Sequence, residues 1–386
     1  MDFSFGPEVE KFRQEVREFT EEHVTPEVLE RAWRTGTMHD WGLHKALAER
    51  RWIEPSWPHE LGGQGRSPIE VMVMEEEFSR AMAPIDGHHT TGVILNTLRR
   101  VGTPEQQAEI IPRALAGEIL ICLGYSEPDS GSDVAAAKTT AVRDGDDWVI
   151  NGQKMFTTMA HEAEYVFLLT RTDPDAPKHR GLTMFLVPLK SPGVEVQPVW
   201  TLGGQRTNMT FYDNVRVSDH QRIGEVNRGW DVIVVGLTYE RRGVSELGPF
   251  VERLTDWAHS VEAEQSSGFN LSPDFRRALA KAQTRAEVAR LLDYRVAWSI
   301  EQGLLPAVEG SMGKLFGPMA LYRSTSDLLD SFGPLGLLQE GEQYSVGQGQ
   351  LEHMYRYSTF KQLEGGTNEI QRSIIAERAL GLPRSR

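Results

Sequence analysis

Between residues 121 and 223 the apolar pattern switches from a helical period to short alternating runs, and this switch limits the possible folds more than any single motif does. Upstream, Pro7 can open a helix in which Val9, Phe12, Val16 and Phe19 recur three and four residues apart. A second helix is predicted near His39 to Arg51, with Trp41, Leu43, Ala46 and Leu47 as buried positions, and a third over Pro68 to Arg80. Thr103 reads as the cap of a further helix with Pro104 in its first turn, while Pro55 to Gly65 is turn chemistry. Inside the switched region, Tyr165–Thr170, Leu182–Val187, Thr210–Tyr212 and Val215–Val217 are strand-like runs bounded by Pro, Asp and Gly. Asn151-Gly152 lies between two such runs and predicts a hairpin turn, because both residues tolerate positive φ. Strands this short and closely spaced suggest a compact barrel or sandwich. Beyond Gly229 the helical period returns, with Leu279, Ala282, Ala286, Ala289, Leu292 and Val296 on one face of a long helix. Residues 261–273 read as an exposed connection, and Glu369–Leu380 as a closing helix before Gly381 and Pro383.

Composition excludes several classes. A chain of 386 residues suggests two or three domains, and 39% hydrophobic with 25% charged residues is ordinary globular composition. A formal charge of -14 argues against nucleic acid as a general partner. The lone Cys122 excludes an internal disulfide framework and a multi-cysteine metal site; with no cationic neighbour in sequence it reads as a buried small apolar residue. His88-His89 and His161-Glu162 lack metal-ligand spacing, so no metal is predicted, and neither Gly63-Gln64-Gly65 nor Gly347-Gln348-Gly349 completes a dinucleotide fingerprint. No apolar run approaches the roughly 20 residues a membrane span needs. The start Met1–Glu8 shows no secretion signal, so the expected location is the cytoplasm.

Three stretches carry candidate chemistry, each with a plainer reading beside it. Gly124–Asp133, dense in glycine, hydroxyls and turn formers, can bring amides close to a flat polar ligand, or can be a decorated turn. Glu364–Arg372 places paired glycines and Thr367 before a helix, where free amides bind electron-rich oxygens; the alternative is a helix capped by Thr367 or Asn368. Glu240 ends the nearly uncharged segment from Trp230 to Leu237, where a carboxylate can be desolvated into a base or merely paired with an arginine.

Taken in order, these stretches resemble the acyl-CoA dehydrogenase family over nearly the whole chain. Trp57–Gly65 is similar to its N-terminal glycine-rich turn, and Ser126–Asp133 to its flavin-and-substrate signature. Asn151–Thr158 is similar to the strand against the flavin ring, with Phe156 where many members have Trp, and Gly366–Arg372 to the C-terminal flavin motif. The resemblance implies an α+β fold: an N-terminal helical domain over 1–120, a small central β-barrel or sandwich over 121–227, and a C-terminal helical bundle over 228–386. It implies FAD as cofactor and α,β-dehydrogenation of an acyl-CoA thioester to the trans-2-enoyl-CoA.

Site residues follow position by position from the resemblance. Most members carry a Glu immediately before the Gly-Thr of the C-terminal motif; here that place is Gly365, and Glu364 is one residue out of register. A subgroup resembling isovaleryl- and long-chain acyl-CoA dehydrogenases takes the base from the earlier helix, and Glu240-Arg241 fits its pattern. The resemblance thus implies Glu240 as α-proton base and Gly365 as amide donor to the thioester oxygen. Tyr125, Ser126, Phe156 and Thr158 would touch the isoalloxazine, and Ser132, Gly333, Thr367 and Glu369 would also contact FAD. Ser132 would meet the CoA arm, with Tyr239, Arg241 and Gly366 completing the substrate contacts.

Two departures shape the partner expectations. The family's Arg-x-x-Phe-Gly segment is replaced by Leu271–Arg277, and its Gln-x-x-Gly-Gly-x-Gly motif by Asp330–Gly336. Both changes resemble actinobacterial members acting on bulky, steroid-derived CoA thioesters, some built from two different subunits. A homo-oligomer (dimer or tetramer) and a hetro-oligomer therefore both stay open, with an electron-transfer flavoprotein as electron acceptor. Two other functions stay open as well: a silent subunit completing a partner's FAD site, and a flavin oxidase or monooxygenase.

Overall fold

The computed structural model describes residues 5–240, 245–263, 271–304 and 306–384. Six helices come first: α1 (Pro7–His23), α2 (Pro26–Thr35), α3 (Trp41–Glu49), α4 (Pro68–Arg80), α5 (Asp86–Val101) and α6 (Pro104–Leu115). Eight strands follow: β1 (Ile121–Gly124), β2 (Thr140–Asp144), β3 (Asp147–Lys154), β4 (Tyr165–Arg171), β5 (Leu182–Pro188), β6 (Val194–Trp200), β7 (Arg206–Ser218) and β8 (Arg222–Ile223). The rest is helical: α7 (Gly229–Glu240), α8 (Leu247–Ala263), α9 (Pro273–Glu301), α10 (Ala307–Phe332), α11 (Gln350–Lys361) and α12 (Asn368–Arg378). Local chemistry sets the starts of α4 and α6. Ser67 with Glu70, and Thr103 with Gln106, each form a reciprocal capping box ahead of a proline-led first turn.

The chain divides into two compact units. A sheet unit takes His23–Arg66 and Ala83–Glu240; a helical unit takes Met1–Glu22, Ser67–Met82 and Arg241–Arg386. In the sheet unit the strands form one eight-stranded sheet in the order β6-β7-β3-β2-β4-β5-β8, with β1 parallel to β4. Trp148 on β3 and Phe185 on β5 touch edge to face with ring centroids 5.4 Å apart. Three strand spacings separate β3 from β5, roughly 14 Å in a flat sheet, so the sheet curls until its halves share one core. Cys122 sits fully buried in that core, as its sequence context suggests, and burial pushes its thiol pKa up.

The predicted hairpin at Asn151-Gly152 is not there. β3 runs straight through both residues, and the turn lies at Gly145-Asp146 between β2 and β3. Gly152 uses its positive φ of 144° to pass Thr139, which a Cβ would meet at 2.7 Å. Asn151 accepts the amide of Asn214 where β7 bulges against β3.

The helical unit is cored by Phe250, Leu254, Phe275, Ala278, Ala282, Ala286, Leu328 and Leu351, so the alanine stripe of α9 faces inward as its spacing predicts. Ser272 caps α9; the preceding part of the expected exposed connection, 264–270, lies outside the described residues. The two early helices of this unit are tied in by ion pairs, Arg13 to Glu76 at 2.9 Å and Arg80 to Glu252 at 2.8 Å.

His39 and His44 lie buried in the sheet unit with ring centroids 5.1 Å apart, and all four ring nitrogens lack a hydrogen-bond partner among the described residues. Burial pulls their pKa values to about 3 and about 4 from an ordinary 6.5. The unfolded chain therefore binds these protons first. Stability is complete above about pH 6.5 and is expected to fall by about 2 kcal/mol per ring by pH 5. Thermal melts from pH 7.5 to 4.5 should show this slope, and His44→Leu should remove the share of one ring; an unchanged slope in the variant would remove His44 from the account.

Candidate functional site

The loop after β1 and the exit of β3 are locked together by a buried ion pair. Lys154, fully buried at the end of β3, donates to Glu127 Oε1 at 2.8 Å and to the carbonyl of Tyr125 at 3.2 Å. Glu127 also accepts the amides of Lys138 at 2.7 Å and Thr139 at 2.9 Å. Burial works to raise the Glu127 carboxyl, but the Lys154 charge and these hydrogen bonds hold it below its usual value. Lys154 is drawn by burial down to about 8, against the pull of Glu127. The Met155 amide donates to the Ser126 carbonyl at 2.9 Å and closes the lock.

Four expected cofactor residues are thereby gathered: Tyr125 and Ser126 on the loop, Phe156 and Thr158 just past β3. Phe156 adopts φ 58° and is 58% exposed as a residue, an unusual state for a large apolar side chain. Thr158 is half-buried, its hydroxyl 3.1 Å from that of Thr207. Ser132 is exposed farther along the loop. Glu127 and Lys154 themselves have no assigned role in the sequence reading. The available signal is that alternation from Trp148 and Ile150 puts Lys154 on the inward face, where an ammonium needs an acid.

The same loop lies against α7. A Cβ on Gly236 would sit 3.0 Å from the Tyr125 hydroxyl, so the glycine permits this approach. Position 240 is one helical turn beyond Gly236 on the same face. Glu240 ends α7 with its side chain outside the described residues, Tyr239 is half-buried on the last turn, and Arg241 lies outside the described residues.

In the helical unit, Gly365 and Gly366 take φ of 56° and 91° ahead of α12. Thr367 is the cap, its hydroxyl accepting the Ile370 amide at 3.3 Å, so the plainer reading of that threonine holds as far as its local bond goes. Glu369 is exposed and faces Arg372 at 3.4 Å. Glu364 is ion-paired with Lys361, which also reaches Glu246 at 3.2 Å. Gly333 is exposed at the end of α10 with φ 54°.

Family models for the N-terminal, middle and C-terminal domains of acyl-CoA dehydrogenases match residues 6–118, 122–215 and 227–380. The chain belongs to the acyl-CoA dehydrogenase family. It is 34% identical to acyl-CoA dehydrogenase FadE26 of Mycobacterium tuberculosis, with 100% of each chain covered. The solved structure titled Tcur3481-Tcur3483 steroid ACAD is 33% identical with a TM-score of 0.90, covering 100% of both chains. The ChsE4-ChsE5 complex from Mycobacterium tuberculosis matches at 33% identity and a TM-score of 0.90, again over 100% of both chains.

As an acyl-CoA dehydrogenase the protein is an oxidoreductase that uses FAD. Its residues fit that cofactor. An exposed aromatic ring held at positive φ beside a threonine and a serine offers a flat face with polar edges. The paired glycines bring bare backbone to the start of α12, where amides suit the oxygens of a phosphate or ribityl chain. Among the described residues no helix is long and apolar enough to cross a membrane.

Proposed function

We propose that the chain dehydrogenates a bulky or branched acyl-CoA at the α,β position, with Glu240 as the base. The supporting observation is the approach of Tyr125 to Gly236, which sets the cofactor loop against the helix that carries position 240. Glu364, the residue before Gly365, is already ion-paired with Lys361. Glu240 takes the α-proton, and the Gly365 N–H receives the thioester oxygen as negative charge builds there. FAD, when bound, supplies the acceptor for the β-hydride, which no side chain can do. Tyr125, Ser126, Phe156 and Thr158 hold its ring system, while Gly333, Thr367 and Glu369 contact the rest. Ser132, Tyr239, Arg241 and Gly366 shape the acyl-CoA path, and an electron-transfer flavoprotein then takes the electrons.

The three-part division at 120/121 and 227/228 belongs to the same proposal, supported by β1 opening at Ile121 and α7 at Gly229. The bulky substrate is supported by the solved relative titled a steroid ACAD. A second reading has its own support, since both solved relatives are titled as pairs of proteins. In that reading the chain is a silent member of a hetero-oligomer and completes its partner's FAD site.

Visible absorption of the purified chain, followed by anaerobic addition of steroid-side-chain and branched acyl-CoA thioesters, separates these readings. The expected result is oxidised flavin near one per chain, bleached by a thioester and not by the free acid. A folded, colourless chain that gains flavin and activity only with a second subunit would establish the silent-subunit reading. Rapid reoxidation by air would instead identify an oxidase.

A further inference from the structure

Gln371, in the first turns of α12, is fully buried, yet only one end of its amide is used. Its Nε2 donates to the carbonyls of Gly365 and Gly366, each at 3.2 Å. Its Oε1 has no hydrogen-bond partner among the described residues. Turning the amide over would place that oxygen against two carbonyls, so the NH₂ group must face the glycines. A fold that leaves a buried amide oxygen unsatisfied gives up stability. Here that loss accompanies one geometric result, the fixed direction of two successive peptides.

In a trans peptide the C=O and N–H point opposite ways. Drawing the Gly365 and Gly366 carbonyls toward Gln371 therefore turns the N–H groups of Gly366 and Thr367 away from it, and fixes the Gly365 backbone from its carbonyl side. Among the described residues no acceptor takes the amides of Gly365, Gly366 or Thr367. Both glycines hold left-handed φ, and a Cβ on Gly366 would lie 2.7 Å from Gln371 Nε2. The absent side chain and the clamping amide thus belong to one arrangement.

We propose that Gln371 is the positioning residue for thioester activation: by holding the Gly365 and Gly366 carbonyls it turns the Gly366 and Thr367 N–H groups away from itself and fixes the backbone that carries the free Gly365 N–H where the ligand oxygen is received. The inference rests on the reading of Gly365 as donor to the thioester oxygen. It assigns Gln371 no contact with substrate, and its effect is on the share of binding that the carbonyl oxygen provides.

The test compares two ligands on the FAD-loaded protein: an acyl-CoA thioester product, and the matching alkyl-CoA thioether, which lacks the oxygen. Wild-type protein should prefer the thioester, and Gln371→Met should reduce that preference about tenfold or more with thioether affinity unchanged. Equal loss for both ligands means a merely structural glutamine and overturns the proposal. So does a preference that survives intact. If wild-type protein shows no preference, the Gly365 reading fails first and this inference with it. Should Gln371→Met not fold, Gln371→Glu provides the second test. Its carboxyl can donate to a carbonyl only when protonated, so thioester preference should recover as pH falls, with thioether affinity flat. A preference independent of pH would count against the clamp.

Discussion

Replacing Glu240 with Gln is expected to lower turnover of the best acyl-CoA by roughly 10²–10⁴-fold, the usual weight of a positioned base. The amide keeps the shape of the carboxylate but cannot accept the α-proton, so flavin content and thioester binding should stay near wild type. The informative control is Glu364→Gln. Glu364 is one residue out of register with the family's other base position and is held by Lys361, which also reaches Glu246. Its replacement should change turnover only a few-fold, within the scale of a partly exposed ion pair. Anaerobic stopped-flow reduction of the flavin reads both variants directly. A fast first half-reaction in Glu240→Gln, or its loss in Glu364→Gln, would move the base to the later segment.

The second large effect is on stability. Lys154→Met leaves the Glu127 carboxylate buried without its ion-pair partner, held by two backbone amides and the more distant charge of Arg171. Breaking one side of such a pair costs about 3–5 kcal/mol. Urea unfolding should show that loss, and the released loop should shed flavin, because Tyr125 and Ser126 are positioned through Lys154 and Met155. The double variant Lys154→Met with Glu127→Gln is expected to recover much of the stability, since no buried charge is then stranded. If the single and double variants unfold alike, the pair is not what anchors the loop.

Much of the architecture was readable from periodicity and caps. The bounds of α4 match the Pro68–Arg80 predicted from its helical period, and the structure adds a serine cap, a proline and a Glu three residues after the cap at its start. Thr103 before α6 is such a cap, legible in the sequence. β4 and β5 are legible because strands buried on both faces are unbroken apolar runs. Asn151-Gly152 misleads for a tertiary reason: its turn chemistry serves a bulge and a close pass by Thr139. α5 carries Gly, His and Thr through its first half, which blurs its period, and β6 interleaves Glu, Gln and Pro.

The candidate site divides along the same line. Tyr125, Ser126, Phe156 and Thr158 stand in recognisable motifs, whereas Lys154 and Gln371 act through contacts that exist only after distant or turned backbone is in place. Lys154 meets Glu127 across 27 residues of chain, and no spacing rule links them. Gln371 meets its two carbonyls only because consecutive glycines turn back on the helix that follows them.

The interleaving of the two units also sets an order of events during synthesis. The sheet unit is complete once residue 240 has been made, but the helical unit then holds only α1 and α4 of its eventual helices. Arg80 on α4 finds Glu252 172 residues later, a delay of roughly 10–30 s at ribosomal speed. In that interval α1 and α4 have each other, through Arg13 and Arg17 with Glu76 and Glu77. These early ion pairs are what can link the two unfinished helices until the C-terminal half leaves the ribosome.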